Sequence, residues 1–192
     1  MRVITGKYGG RKFHPPANIP TRPTTDFAKT GLFNILNNEF DFPEISYLDL
    51  FAGTGSLSYE MASRGCKDIT CVDQNQKCAA FIEQTARDWK IEGMQVVRSD
   101  VFTFIARCSR RFDLVFAGPP YPLPNIDELP EKVLGKPLLN DDGIFILETA
   151  PNHNYESHPM FYHKRNYGTT NFHFFRFKEQ TNNEPSTMNN EQ

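Results

Sequence analysis

No two cysteines stand in a C-x-x-C arrangement in this chain, and the four present, Cys66, Cys71, Cys78 and Cys108, fall in segments that read as helix or buried strand. That excludes a thiolate zinc site and a disulfide scaffold, and points to reduced thiols. The histidines, His14, His153, His158, His163 and His173, lack H-x-x-x-H or comparable ligand spacing, so they read as surface or hairpin residues and no metal is expected. No apolar run approaches the length of a membrane span, and the amino terminus lacks the apolar stretch of a signal peptide. A soluble, cytoplasmic protein is expected. Net charge is only −2, so the chain as a whole is no polycation. Residues 1–30 nevertheless hold Arg2, Lys7, Arg11, Lys12, Arg22 and Lys29 against Asp26 alone, a local excess able to meet phosphate.

With 192 residues, 39% of them apolar, there is material for one core and too little for two ordinary domains. Val3-Ile4 and Arg11-Lys12-Phe13 flank a turn containing Gly6, Gly9 and Gly10, which predicts a small hairpin. Pro15, Pro16, Pro20 and Pro23 then hold the chain extended, and Thr25 or Asp26 caps a helix running to about Asn38. After Pro43 the rhythm changes. Short apolar strands at Tyr47 to Phe51, Asp68 to Asp73, Gln95 to Arg98, Phe112 to Ala117 and Ile144 to Thr149 alternate with helical spacing at Ser56 to Arg64, Gln76 to Trp89 and Val101 to Arg107. Parallel neighbours need crossovers, so this alternation predicts an α/β fold with a mostly parallel sheet covered on both faces. Phe161 to Arg165 and Asn171 to Phe177 read as a closing antiparallel pair, which brings the sheet to seven strands. The expected organisation is an extension over residues 1–42, a main domain over 43–178, and a polar tail over 179–192 that cannot repay the entropy of ordering.

Asp49-Leu-Phe51-Ala52-Gly53-Thr54-Gly55 carries the first strand into a glycine turn, where bare backbone can touch a ligand beyond the strand ends. A dinucleotide is one candidate, because Ser58 sits at the third small position of G-x-G-x-x-G and Asp73 follows Gly53 by twenty residues. Asp49 argues against it. A carboxylate beside the turn repels a pyrophosphate but suits the ammonium of a methionine moiety, which favours S-adenosylmethionine. Asp73, next to Gln74, is placed to accept from ribose hydroxyls, and Asp100, next to Val101, from an adenine amino group. Each also has a plain structural role available, as a turn-former and as a helix cap respectively.

Gly118-Pro119-Pro120-Tyr121 ends the fourth strand. A base amine is a poor nucleophile because its lone pair is delocalised, so a methyltransferase must orient it and draw its hydrogens away. The two prolines stiffen such a loop and expose carbonyls, and Tyr121 can stack on a flipped or splayed base.

On these motifs the chain resembles the RsmD-like bacterial methyltransferases, which modify guanine N2 in small-subunit 16S ribosomal RNA. Gly6-Lys7 with Gly10-Arg11-Lys12, then Arg22-Pro23-Thr24-Thr25-Asp26 followed by Leu32-Phe33-Asn34-Ile35-Leu36, carry the resemblance beyond the cofactor loop, and it extends from Met1 to about Phe177. It implies a Rossmann-like class I fold with S-adenosylmethionine held by Asp49, Phe51, Ala52, Gly53, Thr54, Gly55, Asp73, Gln74, Asp100 and Val101. It implies a base-binding lip at Gly118 to Tyr121, and RNA contacts from Lys7, Arg11, Lys12, Arg22 and Thr24. The partner would be 16S ribosomal RNA or a small-subunit assembly intermediate, met by a monomer. The chain departs from the family's Asp-Pro-Pro-Tyr or Phe at Gly118, and a backbone carbonyl or a water is expected to do part of the missing work. Two other readings stay open: an impaired homologue acting as a ribosomal RNA-binding factor, and a nicotinamide-dependent dehydrogenase. Glu148 closes a strand near the proposed site and could contact substrate, although a strand-end carboxylate is more often just solvated, and Ser56 lacks a nucleophile-elbow context.

Overall fold

The computed structural model describes residues 1–17, 19 and 24–177. Arg22, Pro20, Pro23 and the expected polar tail lie outside the described residues. Helix α1 (Asp26–Glu39) begins where Thr25 accepts the Ala28 N–H through its side chain, and buries Ala28, Leu32, Phe33 and Leu36. Strands β1 (Ser46–Leu50), β2 (Asp68–Asp73), β3 (Met94–Arg98) and β4 (Phe112–Ala117) then alternate with helices α2 (Ser56–Ser63), α3 (Gln76–Trp89) and α4 (Val101–Arg107). Helix α5 (Leu129–Leu134) leads into β5 (Leu139–Thr149), and β6 (Phe161–Tyr167) with β7 (Thr170–Phe175) completes the set. The sheet has seven strands in the order β3-β2-β1-β4-β5-β7-β6, parallel through β5 and antiparallel at β7 and β6. The expected fold class is the one found.

The differences from the sequence reading are local. β1 stops at Leu50 because Phe51 adopts φ 64°, a left-handed conformation that takes it out of the pleat. β5 starts at Leu139, five residues early: Asn140-Asp-Asp-Gly143 looks like a turn, yet it is carried on the strand through a register irregularity against Phe112. α5 escapes the sequence reading, since six residues with Pro130 near their start give little periodicity. Of the histidines, read as surface or hairpin residues, His173 belongs to the closing hairpin and not to the surface. It is fully buried on β7, shares a 3.0 Å hydrogen bond with Thr149 Oγ1, and burial holds its imidazole down at about 4.

Two apolar layers flank the sheet. One joins Val3, Tyr8 and Phe13 of the amino-terminal segment to α1, α2 and α3; the other gathers α4, α5 and the opposite face of β4 and β5. The first is tied by buried charge. Glu60 of α2, wholly buried, accepts from the N–H groups of Ile4 (2.7 Å) and Thr5 (3.1 Å) and pairs with Arg64 (3.0 Å) and with Lys29 of α1 (3.8 Å). Lys29 Nζ also donates to Arg2 O at 2.6 Å and Ser56 Oγ at 3.3 Å, and burial lowers its pKa. The basic excess read from residues 1–30 is therefore smaller at the surface: Lys29 points inward, and Arg2 is paired with Asp26 at 2.8 Å.

Candidate active site

Strand order reverses between β1 and β4, whose neighbours lead away in opposite directions, and ligands of open parallel sheets sit outside the strand ends at that point. A cavity of about 360 Å³ opens there. Its walls include Asp49 near the end of β1 with Phe51, Ala52, Gly53 and Thr54 after it, Asp73 closing β2 with Gln74 after it, Asp100 and Val101 after β3, and Gly118, Pro119, Pro120 and Tyr121 after β4. Thr24 and Glu148 close it from the amino-terminal segment and from β5. Residues from five strand ends, distant in sequence, thus meet in one space.

Gly55 stands behind the wall, where it turns the chain into α2 at φ 77°; a side chain there would also strike the Tyr59 ring, its Cβ at 2.8 Å. Asp73 is locked in orientation, one carboxylate oxygen accepting from Gly53 N–H and the other from Asn75 N–H, both at 2.8 Å. It thereby serves as turn-former and cavity wall together. Asp100 caps α4 by accepting from Thr103 N–H at 2.8 Å while its residue lines the cavity. Asp49 is buried and accepts from Ser58 Oγ at 2.6 Å. Burial pushes its pKa up to about 7, the carboxylates of Asp73 and Glu148 add to the rise, and the Ser58 and Tyr47 hydroxyls oppose it.

Of the two readings open for Glu148, substrate contact or a solvated strand end, the structure excludes the second. Glu148 is buried, not solvated, and Thr24 Oγ1 donates to its Oε2 at 2.8 Å. The signal that could have found it is register: Ala117 pairs with Leu147 across parallel strands, so the residue after each, Gly118 and Glu148, must be neighbours. Thr24 could not have been placed there from periodicity, because its approach depends on how the extended segment folds back.

The chemical character of the cavity is decisive for what it can hold. Asp49, Asp73, Asp100 and Glu148 all contribute, and among the described residues that line it there is no lysine, arginine or histidine. Among the described walls a pyrophosphate would meet only like charge, whereas a cationic ligand with hydroxyls and an amino group to donate is complemented by them. The residues fit S-adenosylmethionine and not a nicotinamide dinucleotide. Among the described residues no His, Cys, Asp and Glu cluster could hold a metal ion.

The remaining basic candidates lie along α2. At the cavity end Thr54 meets Met1 and Lys12 bridges to Arg2; at the far end Lys7 N–H donates to Ser63 O at 2.7 Å. The hairpin therefore spans the length of that eight-residue helix, roughly 12 Å. Lys7 and Arg11 stand at its far tip, Arg11 over the Tyr8 and Trp89 rings at 5.2 and 5.5 Å, and neither they nor Lys12 reach the cavity wall.

A seven-stranded sheet of this order with a ligand cavity at its reversal defines the class I S-adenosylmethionine-dependent methyltransferase fold. Its match to the solved structure of a putative methyltransferase yhhF from Escherichia coli has TM-score 0.80 at 24% identity, covering 94% of this chain and 99% of that one. The family model described as conserved hypothetical protein 95 matches residues 1–176, and the chain belongs to that family, the RsmD-like methyltransferases. It is 32% identical to a putative rRNA methyltransferase YlbH of Bacillus subtilis over 77% of this chain and 82% of the relative. It is 28% identical to the ribosomal RNA small subunit methyltransferase D of Escherichia coli strain K12, over 78% and 74% respectively.

Proposed function

We propose that this protein transfers a methyl group from S-adenosylmethionine to the exocyclic N2 amine of a guanine in small-subunit 16S ribosomal RNA, free or in an assembly intermediate, acting as a cytoplasmic monomer. The observation that carries the reading is the cavity at the strand reversal, lined by carboxylates with no cation among its described walls and bordered by Pro119, Pro120 and Tyr121. Membership of a family whose relatives bear ribosomal RNA methyltransferase names supports the substrate class.

When bound, S-adenosylmethionine supplies an electrophilic methyl group on a sulfonium. Asp49 would face the methionine ammonium, Asp73, oriented by its two backbone donors, would take the ribose hydroxyls, and Asp100 would accept from the adenine amino group. Phe51, Ala52, Gly53, Thr54 and Gly55 shape the turn against which the methionine lies, and Gln74 and Val101 flank the nucleoside. Pro119 and Pro120 fix the lip and present carbonyls to the target amine, and half-buried Tyr121 stacks on the base. Lys7, Arg11, Lys12 and Arg22 meet RNA phosphates.

Incubation with radiolabelled S-adenosylmethionine and small-subunit particles lacking the modification, followed by nucleoside analysis, tests this directly. Label in N2-methylguanosine is expected. Label in another nucleoside, or none, refutes it.

A further inference from the structure

Among the described residues the large apolar side chains left exposed are Met1, Phe27 and Tyr162, and the last two line one groove. This second cavity, of about 530 Å³, lies between α1 and β6, the edge strand of the sheet. Its α1 wall presents Phe27, Gly31, Asn34 and Asn38, spaced to share one face of the helix. Gly31 lets the opposite wall close in: a Cβ there would lie 2.1 Å from the Tyr167 ring, and that ring holds Phe27 edge-to-face at a centroid distance of 5.5 Å. Phe27 is thus braced while 69% of it stays in solvent. The β6 wall is cationic. Arg165 lines the groove and Arg176 covers the Tyr162 ring at 3.6 Å, and among the described residues neither guanidinium pairs with a carboxylate. Burial and the positive field of the same two arginines hold the His163 imidazole down at about 4. Glu39, in the last turn of α1, is the one acid on the described walls.

Register places one end of the groove beside the catalytic cavity. Asn166 pairs with Asn171, which pairs with Thr149, the residue after Glu148, so Tyr167 stands at the sheet end where the cavity opens, two strand spacings or about 10 Å from β5. On the other wall, Phe27 follows Thr24 of the cavity rim by three residues, a span of at most about 11 Å.

We propose that this groove is an RNA surface additional to the hairpin, holding unpaired nucleotides next to the target guanine: bases stack on Phe27 and Tyr162, and Arg165 meets a phosphate. The inference deepens the ribosomal RNA reading given above and rests on it for the partner. Exposed rings beside guanidiniums that lack a carboxylate suit a single strand, because every base has a π-face and every linkage a negative charge. The apolar surface of a protein partner would cover the rings but leave Arg165 and Arg176 desolvated without a counter-charge. A base that leaves its stack for a catalytic cavity also exposes its neighbours, and rings at the cavity's border restore the stacking those neighbours lose.

The test uses the full chain and a fluorescent single-stranded RNA of about ten nucleotides, within the span such surfaces cover. Phe27→Ala and Tyr162→Ala should each weaken binding about five- to 150-fold, with affinity for S-adenosylhomocysteine unchanged. Phe27→Tyr should bind as the parent does and Phe27→Leu should not, since leucine keeps apolar bulk but offers no ring. Arg165→Gln should make the salt dependence shallower by about 0.7 in log–log slope. The same strand annealed to its full complement should be indifferent to Phe27→Ala, because paired bases have no free face to stack. Parent-like affinity in both alanine variants, equal losses on single and double strands, or no binding of the single strand by the parent overturns the inference, even where the parent methylates guanine N2. A parent that makes no N2-methylguanosine yet loses RNA affinity with these rings refutes the guanine reading and leaves the groove in place. If Phe27→Ala keeps RNA affinity but abolishes self-association in sedimentation, the face belongs to a second copy and the inference falls. Should one alanine variant fail to fold, the other decides together with Arg165→Gln.

Discussion

At the scale of single residues, Asp49 carries the clearest pH signature. Its folded pKa, about 7, lies above the ordinary aspartate value of 3.8, so the folded state keeps a proton that the unfolded chain has already released. Stability therefore falls as pH rises from about 4 to 7, and the cost is fully present above 7. Asp49→Asn removes it: the unliganded variant should gain on the order of 4 kcal/mol over the parent at pH 8 and almost nothing at pH 4, read by urea unfolding at the two pH values. The same substitution should abolish S-adenosylmethionine binding, because the ammonium loses its counter-charge. A cation docking beside Asp49 favours the ionised form, so cofactor binding should release a proton when measured calorimetrically below pH 7 in buffers of different ionisation enthalpy. Equal heats across buffers would show that Asp49 does not face the ammonium. Asp49, Asp73 and Asp100 are legible in the sequence because strand-end positions follow from apolar runs alone. The place of Glu148 at a strand end near the site is legible in the same way, but its burial is not, since that depends on parallel register with β4 and on Thr24 arriving from 124 residues away.

Among the elements, α1 and α2 are joined by charge as much as by apolar packing. Lys29 and Glu60 are each almost completely buried, and breaking such a pair leaves an uncompensated charge in the core. Lys29→Ala should cost about 3–5 kcal/mol in denaturant unfolding, more than the removal of a surface lysine ever does. A loss under 1 kcal/mol would mean that Arg64 alone satisfies Glu60. Sequence places α1 correctly through its cap and its Ala28, Leu32, Leu36 spacing, but it assigns Lys29 to the phosphate-facing set. Periodicity identifies the helix face turned inward, and a lysine on that face reads as an exception only once the acceptor on another helix is known. The elements that escape a sequence reading, α5 and the first half of β5, share a cause: short length, a proline and an acidic turn-like stretch suppress the pattern on which recognition depends.

For the whole molecule, the proposed RNA contacts of the hairpin would set the direction in which a long substrate runs. Lys12 lies near the cavity end of α2, and Lys7 with Arg11 lies at its far end, so an RNA that meets all three follows that helix away from the catalytic cavity. Lys7→Ala with Arg11→Ala should weaken RNA binding and make its salt dependence shallower by about 0.7 in log–log slope for each phosphate no longer neutralised, with cofactor affinity unchanged. An unaltered slope would place the RNA elsewhere. The described residues contain no helix long and apolar enough to cross a membrane. Whether the carboxylate-lined cavity serves guanine N2 in the small ribosomal subunit is answered most directly by mass spectrometry of ribosomal RNA from cells with the gene and from the same cells without it. One N2-methylguanosine should vanish from the 16S RNA when the gene is removed and return with the intact chain. An identical set of modified nucleosides in both would contradict the assignment.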